Sequence, residues 1–118
     1  MRITICGKVV YRKNMLDMER ILTYSGYTVF TPILSSLIHP LTEIEIKELH
    51  RAHEEKIDLA DEVWFITPYG EDTAREYEYA KSKGKLIRKI SISSVRDAID
   101  KYALSGKESF TNELEVEW

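Results

Sequence analysis

Short β-branched segments alternate with amphipathic helical patterns along most of the chain, and this alternation limits the folds open to it. The segment Arg2–Cys6 is rich in β-branched residues and stops at Gly7, as a buried strand does before a turn. Apolar residues then recur at helical spacing from about Asn14 until Gly26. Strands that alternate with helices form right-handed βαβ crossovers, so a mainly parallel sheet covered on both faces is expected.

The same patterns divide the rest of the chain into further strands and helices. The predicted strands are Tyr27–Phe30, Val63–Thr67 and the less regular Lys85–Ser91, and the predicted helices follow Thr42, cover Thr73–Lys83 and begin again at Ser94. We therefore expect one three-layer α/β/α sandwich over residues 1–104, followed by a short tail over residues 105–118. Its sheet would be doubly wound, with four to five strands, as in Rossmann-like and flavodoxin-like folds.

The composition fits a single small soluble domain and excludes several classes of partner. The chain has 118 residues and a net charge of −3, which leaves no overall basic footprint for a nucleic acid polymer. One cysteine, Cys6, excludes an internal disulfide and fits a reducing cytosol. No stretch has the length and apolar character of a membrane span, and the first residues lack the pattern of a signal peptide. We expect a cytoplasmic protein with no membrane partner.

Two loops are candidates for a binding site, because ligands of such sheets bind beyond the carboxyl ends of the strands. The first loop, Gly7–Asn14, follows the first strand and is basic. The second, Pro68–Asp72, follows the third strand and leads to Glu76. If the first and third strands are neighbours, both loops border one pocket in which cations face carboxylates.

Glu76 has two interpretations from the sequence alone. The stretch Thr73-Ala74-Arg75-Glu76 has the spacing of a capping box, in which the Glu76 side chain accepts a hydrogen bond from the Thr73 amide. The other interpretation is a carboxylate placed for chemistry near the end of a buried strand.

Three segments of the chain, MRITICGK, HEEKIDLADEVWFI and GEDTAREYEYAKSKGK, together resemble the nucleoside 2-deoxyribosyltransferase-like family. That family includes the deoxyribosyltransferases and the 2'-deoxynucleoside 5'-phosphate N-hydrolases. The shared features are a strand that ends in glycine, Ala-Asp before an apolar strand, and Thr-x-x-Glu continued by Tyr-Ala and Gly-Lys. The resemblance runs from residue 1 to about residue 91. It implies a small nucleoside or nucleotide as the ligand, no cofactor, and assembly into dimers or larger oligomers.

The resemblance implies that Glu76 is a nucleophile, which attacks C1' of the sugar and forms a glycosyl-enzyme ester. Gly70 stands where the transferases have an aspartate and the monophosphate hydrolases a serine, so Asp72, or Glu71 from the same loop, is the candidate for the missing carboxylate. His53, close to a second family aspartate, is a candidate proton donor to the leaving base, or else a core histidine with one hydrogen bond. The alternative to an enzyme is a non-catalytic nucleotide-binding or sensing domain that keeps the pocket.

The candidate substrate-binding residues come from both loops and are Gly7, Lys8, Tyr11, Arg12, Gly70 and Thr73. Lys8 and Arg12 lie near the predicted start of the first helix, whose free amides and dipole favour an anion. The family's hydrolase branch holds a 5'-phosphate there, although a solvated basic turn has the same sequence. Tyr11 is the candidate substitute for a tyrosine that the transferases carry on the first strand.

The histidines give little support for a metal site. His50 and His53 are three residues apart on one predicted helix, with Glu54 beside them. A third ligand would have to come from a distant part of the chain, since no pair of cysteines joins them. We therefore expect no bound metal.

Apolar residues beyond those needed for one core favour self-association. Ile44 lies off the apolar face of its helix, and the segment Ile33–Ile38 precedes that helix without a regular pattern. An exposed apolar patch of this kind usually marks an interface, and a two-fold dimer is the commonest solution. The alternative is that the segment folds over the chain's own core as a lid.

Overall fold

The strands and helices form close to the places that the sequence patterns indicated. In the computed structural model, which describes residues 1–34, 39–105 and 116–117, the strands are β1 (Arg2–Cys6), β2 (Thr28–Phe30), β3 (Glu62–Thr67), β4 (Leu86–Ser91) and β5 (Val116–Glu117). The helices are α1 (Arg12–Tyr24), α2 (Glu43–Leu59), α3 (Glu71–Ser82) and α4 (Ile92–Ser105). The expected α/β class is thus confirmed. No helix in these three described ranges has the length and apolar character needed to cross a bilayer.

The sheet has the order β2-β1-β3-β4-β5, and its first four strands are all parallel. Within the segment expected to be a tail, Val116–Glu117 pairs antiparallel with β4. β1 lies between β2 and β3, so the first crossover runs to one side of β1 and the second to the other. This reversal of direction opens a crevice at the carboxyl ends of β1 and β3. The first and third strands are therefore neighbours, which was the condition for the two loops to border one pocket.

Side-chain alternation along the central strands builds a separate core on each face of the sheet. Ile3, Ile5 and Ile66 point to one face, where they pack with α1 and α4 in a cluster that includes Met15 and Val95. On the opposite face, the buried cluster consists of Cys6, Ile57, Ala60, Val63, Phe65 and Ala80. Cys6 therefore lies on the face covered by α2 and α3, at the end of its strand.

The loop after β1 is shorter than the sequence suggested, because helical structure starts before Asn14. A short 3-10 helix, Val9–Tyr11, leads directly into α1, so only two residues separate it from β1. Tyr11 is buried and its hydroxyl donates a hydrogen bond of 2.8 Å to the carbonyl of Pro68. This bond joins the segments that follow β1 and β3. The predicted end of α1 at Gly26 is confirmed, since this glycine has a φ of 98°, which disfavours other residues.

Helix α3 begins earlier than predicted, and the capping-box interpretation of Thr73 and Glu76 is wrong. The helix starts at Glu71, with Gly70 as its N-cap, and the Ala74 amide already donates to the Gly70 carbonyl at 2.9 Å. Thr73 is consequently a buried residue inside the first turn, and Glu76 lies in the second turn. A true capping box occurs at α2, as the prediction of Thr42 as its cap suggested, between Thr42 and Glu45.

The apolar residues expected to form an interface have different environments. Leu34 is buried in the core with α1 and α4, as a segment folded over its own domain would be. Ile33 and Ile44 are exposed, at 57% and 75%. Leu37 and Ile38 lie outside the described residues.

Candidate active site

A cavity of about 530 Å³ opens at the carboxyl ends of β1 and β3, with α2 and α3 on its sides. Most of the site residues predicted from the sequence line it, namely Gly7, Lys8, His53, Gly70, Asp72, Thr73 and Glu76. Glu71, an alternative to Asp72 in the sequence analysis, also lines it. The other lining residues were not predicted as site residues and are Val9, Pro32, Ile33, Leu41, Ile46, Leu49, His50 and Lys56. Ile46, Leu49 and His53 share a helical spacing on α2 that was visible in the sequence, but only His53 was named as a site candidate.

Tyr11 and Arg12 do not belong to the lining of this cavity. The Tyr11 hydroxyl donates its hydrogen bond to the Pro68 carbonyl, so Tyr11 joins the two loops to each other. Arg12 is half-buried at the start of α1, and its Nε has no hydrogen-bond partner among the described residues. Lys8 is therefore the one charged residue that the basic loop contributes to the cavity lining, beside Gly7 and Val9.

The Glu76 side chain is 19% exposed and points from α3 toward α2. Its Oε2 lies 3.3 Å from Nε2 of His53, whose side chain is 6% exposed. The same Nε2 lies 3.1 Å from the sulfur of Cys6, at the end of β1. Three secondary-structure elements thus place a thiol, an imidazole and a carboxyl group in mutual contact at the cavity.

Burial raises the pKa of Glu76 to about 8, and the negative charges of Asp72 and Glu54 add to this effect. The Arg75 guanidinium acts in the opposite direction but does not compensate. Because the carboxyl group keeps its proton at neutral pH, Glu76 is mostly uncharged in the free protein.

Burial also lowers the pKa of His53 to about 4, with smaller contributions from the charges of Lys56 and His50. The imidazole is therefore neutral, so its 3.3 Å contact with Glu76 is not an ion pair at neutral pH. Burial, helped by the charge of Glu76, raises the pKa of the Cys6 thiol well above its ordinary range. The interior end of the cavity is thus uncharged.

Charged groups lie at the cavity mouth instead. Asp72 is 75% exposed, and its Oδ1 accepts a hydrogen bond of 3.2 Å from Nη2 of Arg75. The other terminal nitrogen of Arg75 lies 3.3 Å from Nδ1 of His50 on α2. Lys56, further along α2, lines the cavity and donates to the Thr31 carbonyl at 2.8 Å. The cavity therefore has a neutral interior and a mouth that carries both signs of charge.

No protein-family model and no curated protein matches the sequence.

The contribution of Glu76 to the free energy of unfolding is expected to fall as the pH rises from 4.5 to about 8, and Glu76→Gln should remove this fall. The pKa of Glu76 rises from 4.5 to about 8 on folding, so between these values the folded chain keeps a proton that the unfolded chain has released. The stability that this proton contributes is fully present below the unfolded pKa and is lost as the pH rises through the folded pKa. His53 titrates in the unfolded chain near 6.5, but it does so in both proteins, so its contribution cancels when they are compared.

Urea unfolding at two pH values tests this expectation. The first, pH 6.5, equals the ordinary pKa of His53, and the second, pH 8, equals the raised pKa of Glu76. The free energy of unfolding of the unmodified chain should fall by about 1–2 kcal/mol more than that of Glu76→Gln across this range. Identical pH dependence in the two proteins would contradict the raised pKa.

Proposed function

We propose that this chain cleaves or transfers the N-glycosidic bond of a (deoxy)nucleoside or a nucleoside 5'-monophosphate, with Glu76 as the nucleophile. The observation that carries the proposal is the position of Glu76 inside the cavity. It is not a capping residue, and its carboxyl group contacts His53 at the crevice between β1 and β3. Ligands of doubly wound sheets bind at this position. The resemblance to the nucleoside 2-deoxyribosyltransferase-like family supports the same role.

In the proposed reaction, a Glu76 carboxylate oxygen bonds to C1' as the bond between C1' and the base nitrogen breaks. The electron pair of that bond leaves with the base, which takes up a proton. Water or a second base then attacks C1' of the glycosyl ester and restores the carboxylate, as in a retaining glycosidase. The carboxylate is the reactive form, and its share grows as the pH approaches the Glu76 pKa of about 8.

The surroundings of Glu76 support different roles for the two other catalytic candidates. His53 is neutral and touches the Glu76 carboxyl group, so it is suited to orient the nucleophile rather than to donate a proton. Asp72 is exposed at the cavity mouth, one helical turn before Glu76. A leaving base at the mouth would meet Asp72 first, which favours Asp72 as the group that exchanges the proton.

The cavity wall supports a nucleotide as the ligand. Leu41, Ile46 and Leu49 form an apolar wall of the kind that packs against a planar base. Lys8 and Lys56 line the same cavity and supply positive charge for a phosphate group.

One observation favours the alternative function of a nucleotide-binding or sensing domain. The proton held by Glu76 at neutral pH suits a hydrogen bond to a ligand better than an attack on C1'. Such a domain would bind the nucleotide and release no base, so a turnover assay separates the two functions.

Glu76→Gln is expected to abolish release of free base from deoxynucleosides and their monophosphates, because the amide cannot form the glycosyl ester. Chromatography of the reaction mixtures measures the base. The matched control is Glu78→Gln, which removes an exposed carboxylate from the same helix outside the cavity. Full turnover by a folded Glu76→Gln protein would rule out the nucleophile, and binding without turnover by the unmodified chain would favour the sensing domain.

We expect a nucleoside monophosphate to bind more tightly than the matching nucleoside, and this difference to shrink as salt is added. Lys8→Gln should reduce the difference roughly tenfold, by loss of one charge-assisted contact to phosphate. Lys13→Gln is the control, since the Lys13 side chain is 90% exposed and lies outside the cavity lining. Isothermal titration calorimetry measures both ligands, and equal affinities for them in the unmodified chain would contradict a phosphate subsite.

We also propose that the chain forms a homodimer through the exposed apolar residues next to the cavity. Ile33 and Ile46 line the cavity edge and are 57% and 40% exposed, and Ile44 is 75% exposed on the same helix as Ile46. Ile44→Lys should shift the sedimentation coefficient from dimer to monomer, because it places a charge in an apolar contact. Leu104→Lys, on the distant helix α4, is the control. A monomeric unmodified chain at high concentration would contradict the dimer.

A further inference from the structure

The side chains of Cys6, His53 and Glu76 meet at one point, although they come from β1, α2 and α3. Their ligand atoms, one sulfur, one nitrogen and one oxygen, all lie within 4.8 Å of one another. Cys6 and His53 are buried and Glu76 is half-buried, and both His53 and Glu76 line the open cavity.

The geometry does not fit a catalytic relay of thiol, imidazole and acid. In such a relay the nucleophile and the acid bind opposite nitrogens of the imidazole. Here both contacts go to Nε2 of His53, at 3.1 Å from the Cys6 sulfur and 3.3 Å from the Glu76 oxygen. A neutral imidazole nitrogen has either one hydrogen or one lone pair, so it can form a good hydrogen bond with only one of these groups. The other ring nitrogen, Nδ1, is buried and has no partner among the described residues.

A cation that is shared by three ligands requires their ligand atoms to lie close together, as they do here. In tetrahedral zinc sites the metal lies about 2.3 Å from a sulfur ligand and about 2.0–2.1 Å from nitrogen and oxygen ligands. At tetrahedral angles, the sulfur and nitrogen ligands are then about 3.6 Å apart, and the nitrogen and oxygen ligands are about 3.3 Å apart. The observed distance from the Cys6 sulfur to the His53 nitrogen is 3.1 Å, and that from the same nitrogen to the Glu76 oxygen is 3.3 Å. A small side-chain rotation brings these distances to the values of a zinc site.

We propose that Cys6, His53 and Glu76 form a binding site for a divalent transition-metal ion of the zinc type. The cavity in front of Glu76 leaves room for a water molecule as the fourth ligand, so the site has an open position. A thiolate and an imidazole select zinc or cobalt over magnesium and calcium, which prefer oxygen ligands alone. The proton of the Cys6 thiol, and that of Glu76 when it is protonated, pass to the solvent as the ion binds.

The metal site goes beyond the proposed glycosyl reaction and does not depend on it. A metal ion bound to one oxygen of the Glu76 carboxylate withdraws electron density from the group and makes it a weaker nucleophile toward C1'. The metal-loaded chain would therefore be a less active form of the enzyme. In the sensing alternative, the same ion would instead offer its open position to a ligand.

Titration of the metal-free full chain with Zn²⁺ alone, in the absence of any nucleoside, tests the proposal. We expect one ion per chain, measured by competition with a chromogenic chelator. Cys6→Ser and Glu76→Gln should each weaken binding roughly tenfold or more, the size of effect that even outer-shell changes reach at metal sites. Asp72→Asn and His50→Gln, which change other polar residues of the same cavity, should bind as the unmodified chain does.

Titration with Co²⁺ reports the ligands directly, because a thiolate bound to cobalt has a charge-transfer absorption band. The band is expected in the unmodified chain and in Asp72→Asn, and it should disappear in Cys6→Ser. Circular dichroism establishes that each variant is folded, and Cys6→Ala replaces Cys6→Ser if the serine prevents folding. Absence of the band in the unmodified chain, or Zn²⁺ affinity that falls in Asp72→Asn but not in Cys6→Ser, would overturn the site. Neither readout involves turnover, so a failure of the proposed enzyme activity leaves this test unaffected.

Discussion

The pairing of β1 with β3 is the constraint on which the candidate site depends, and it is fixed at the first residues of both strands. The Asp61 amide donates to the Arg2 carbonyl at 2.8 Å, and the Arg2 amide donates to the Asp61 carboxylate at 2.7 Å. These bonds set a register in which Cys6 pairs with Phe65. The Thr4 hydroxyl then attaches α2 to the same strand by donating to the Lys56 carbonyl at 2.7 Å. A shift of one residue would turn Cys6 to the opposite face of the sheet, away from α2 and α3.

The interior of the cavity shows what happens when three ionisable groups are buried without a compensating charge. Desolvation favours the neutral form of each group, so the Glu76 pKa rises, the His53 pKa falls and the Cys6 thiol keeps its proton. Either a cationic sugar or a metal ion would change this balance, because a positive charge favours an ionised Glu76. The proposed reaction and the proposed metal site would therefore each bring a positive charge to a group of buried side chains that has none.

Much of the architecture could be predicted from short-range patterns. β-Branched runs marked β1 and β3, helical periodicity marked α1 and α2, and Gly26 and Gly84 marked helix ends with positive φ. The rule for the carboxyl ends of parallel strands then selected the residues around the cavity. The start of α3 was missed, because Thr-x-x-Glu is common both at a helix start and inside a first turn.

These short-range patterns could not predict contacts between residues that are distant in the sequence. Cys6 and His53 are 47 residues apart, and nothing in either neighbourhood indicates that the two side chains meet. From the sequence, Cys6 was used only as evidence about the redox environment, and a metal site was not expected because a third ligand to join His50 and His53 would come from far along the chain. Residues distant in sequence nevertheless meet here, because β1 pairs with β3 and α2 packs on this face of the sheet. Tyr11 was assigned to substrate binding for a similar reason, since its hydrogen-bond partner, Pro68, comes 57 residues later and could not be foreseen.

The bond between Tyr11 and Pro68 gives the cavity a mechanical property. One hydroxyl ties the turn after β1, which carries Lys8, to the turn after β3, which carries Gly70. The two turns are therefore coupled, because a movement of either turn alone would stretch or break this hydrogen bond.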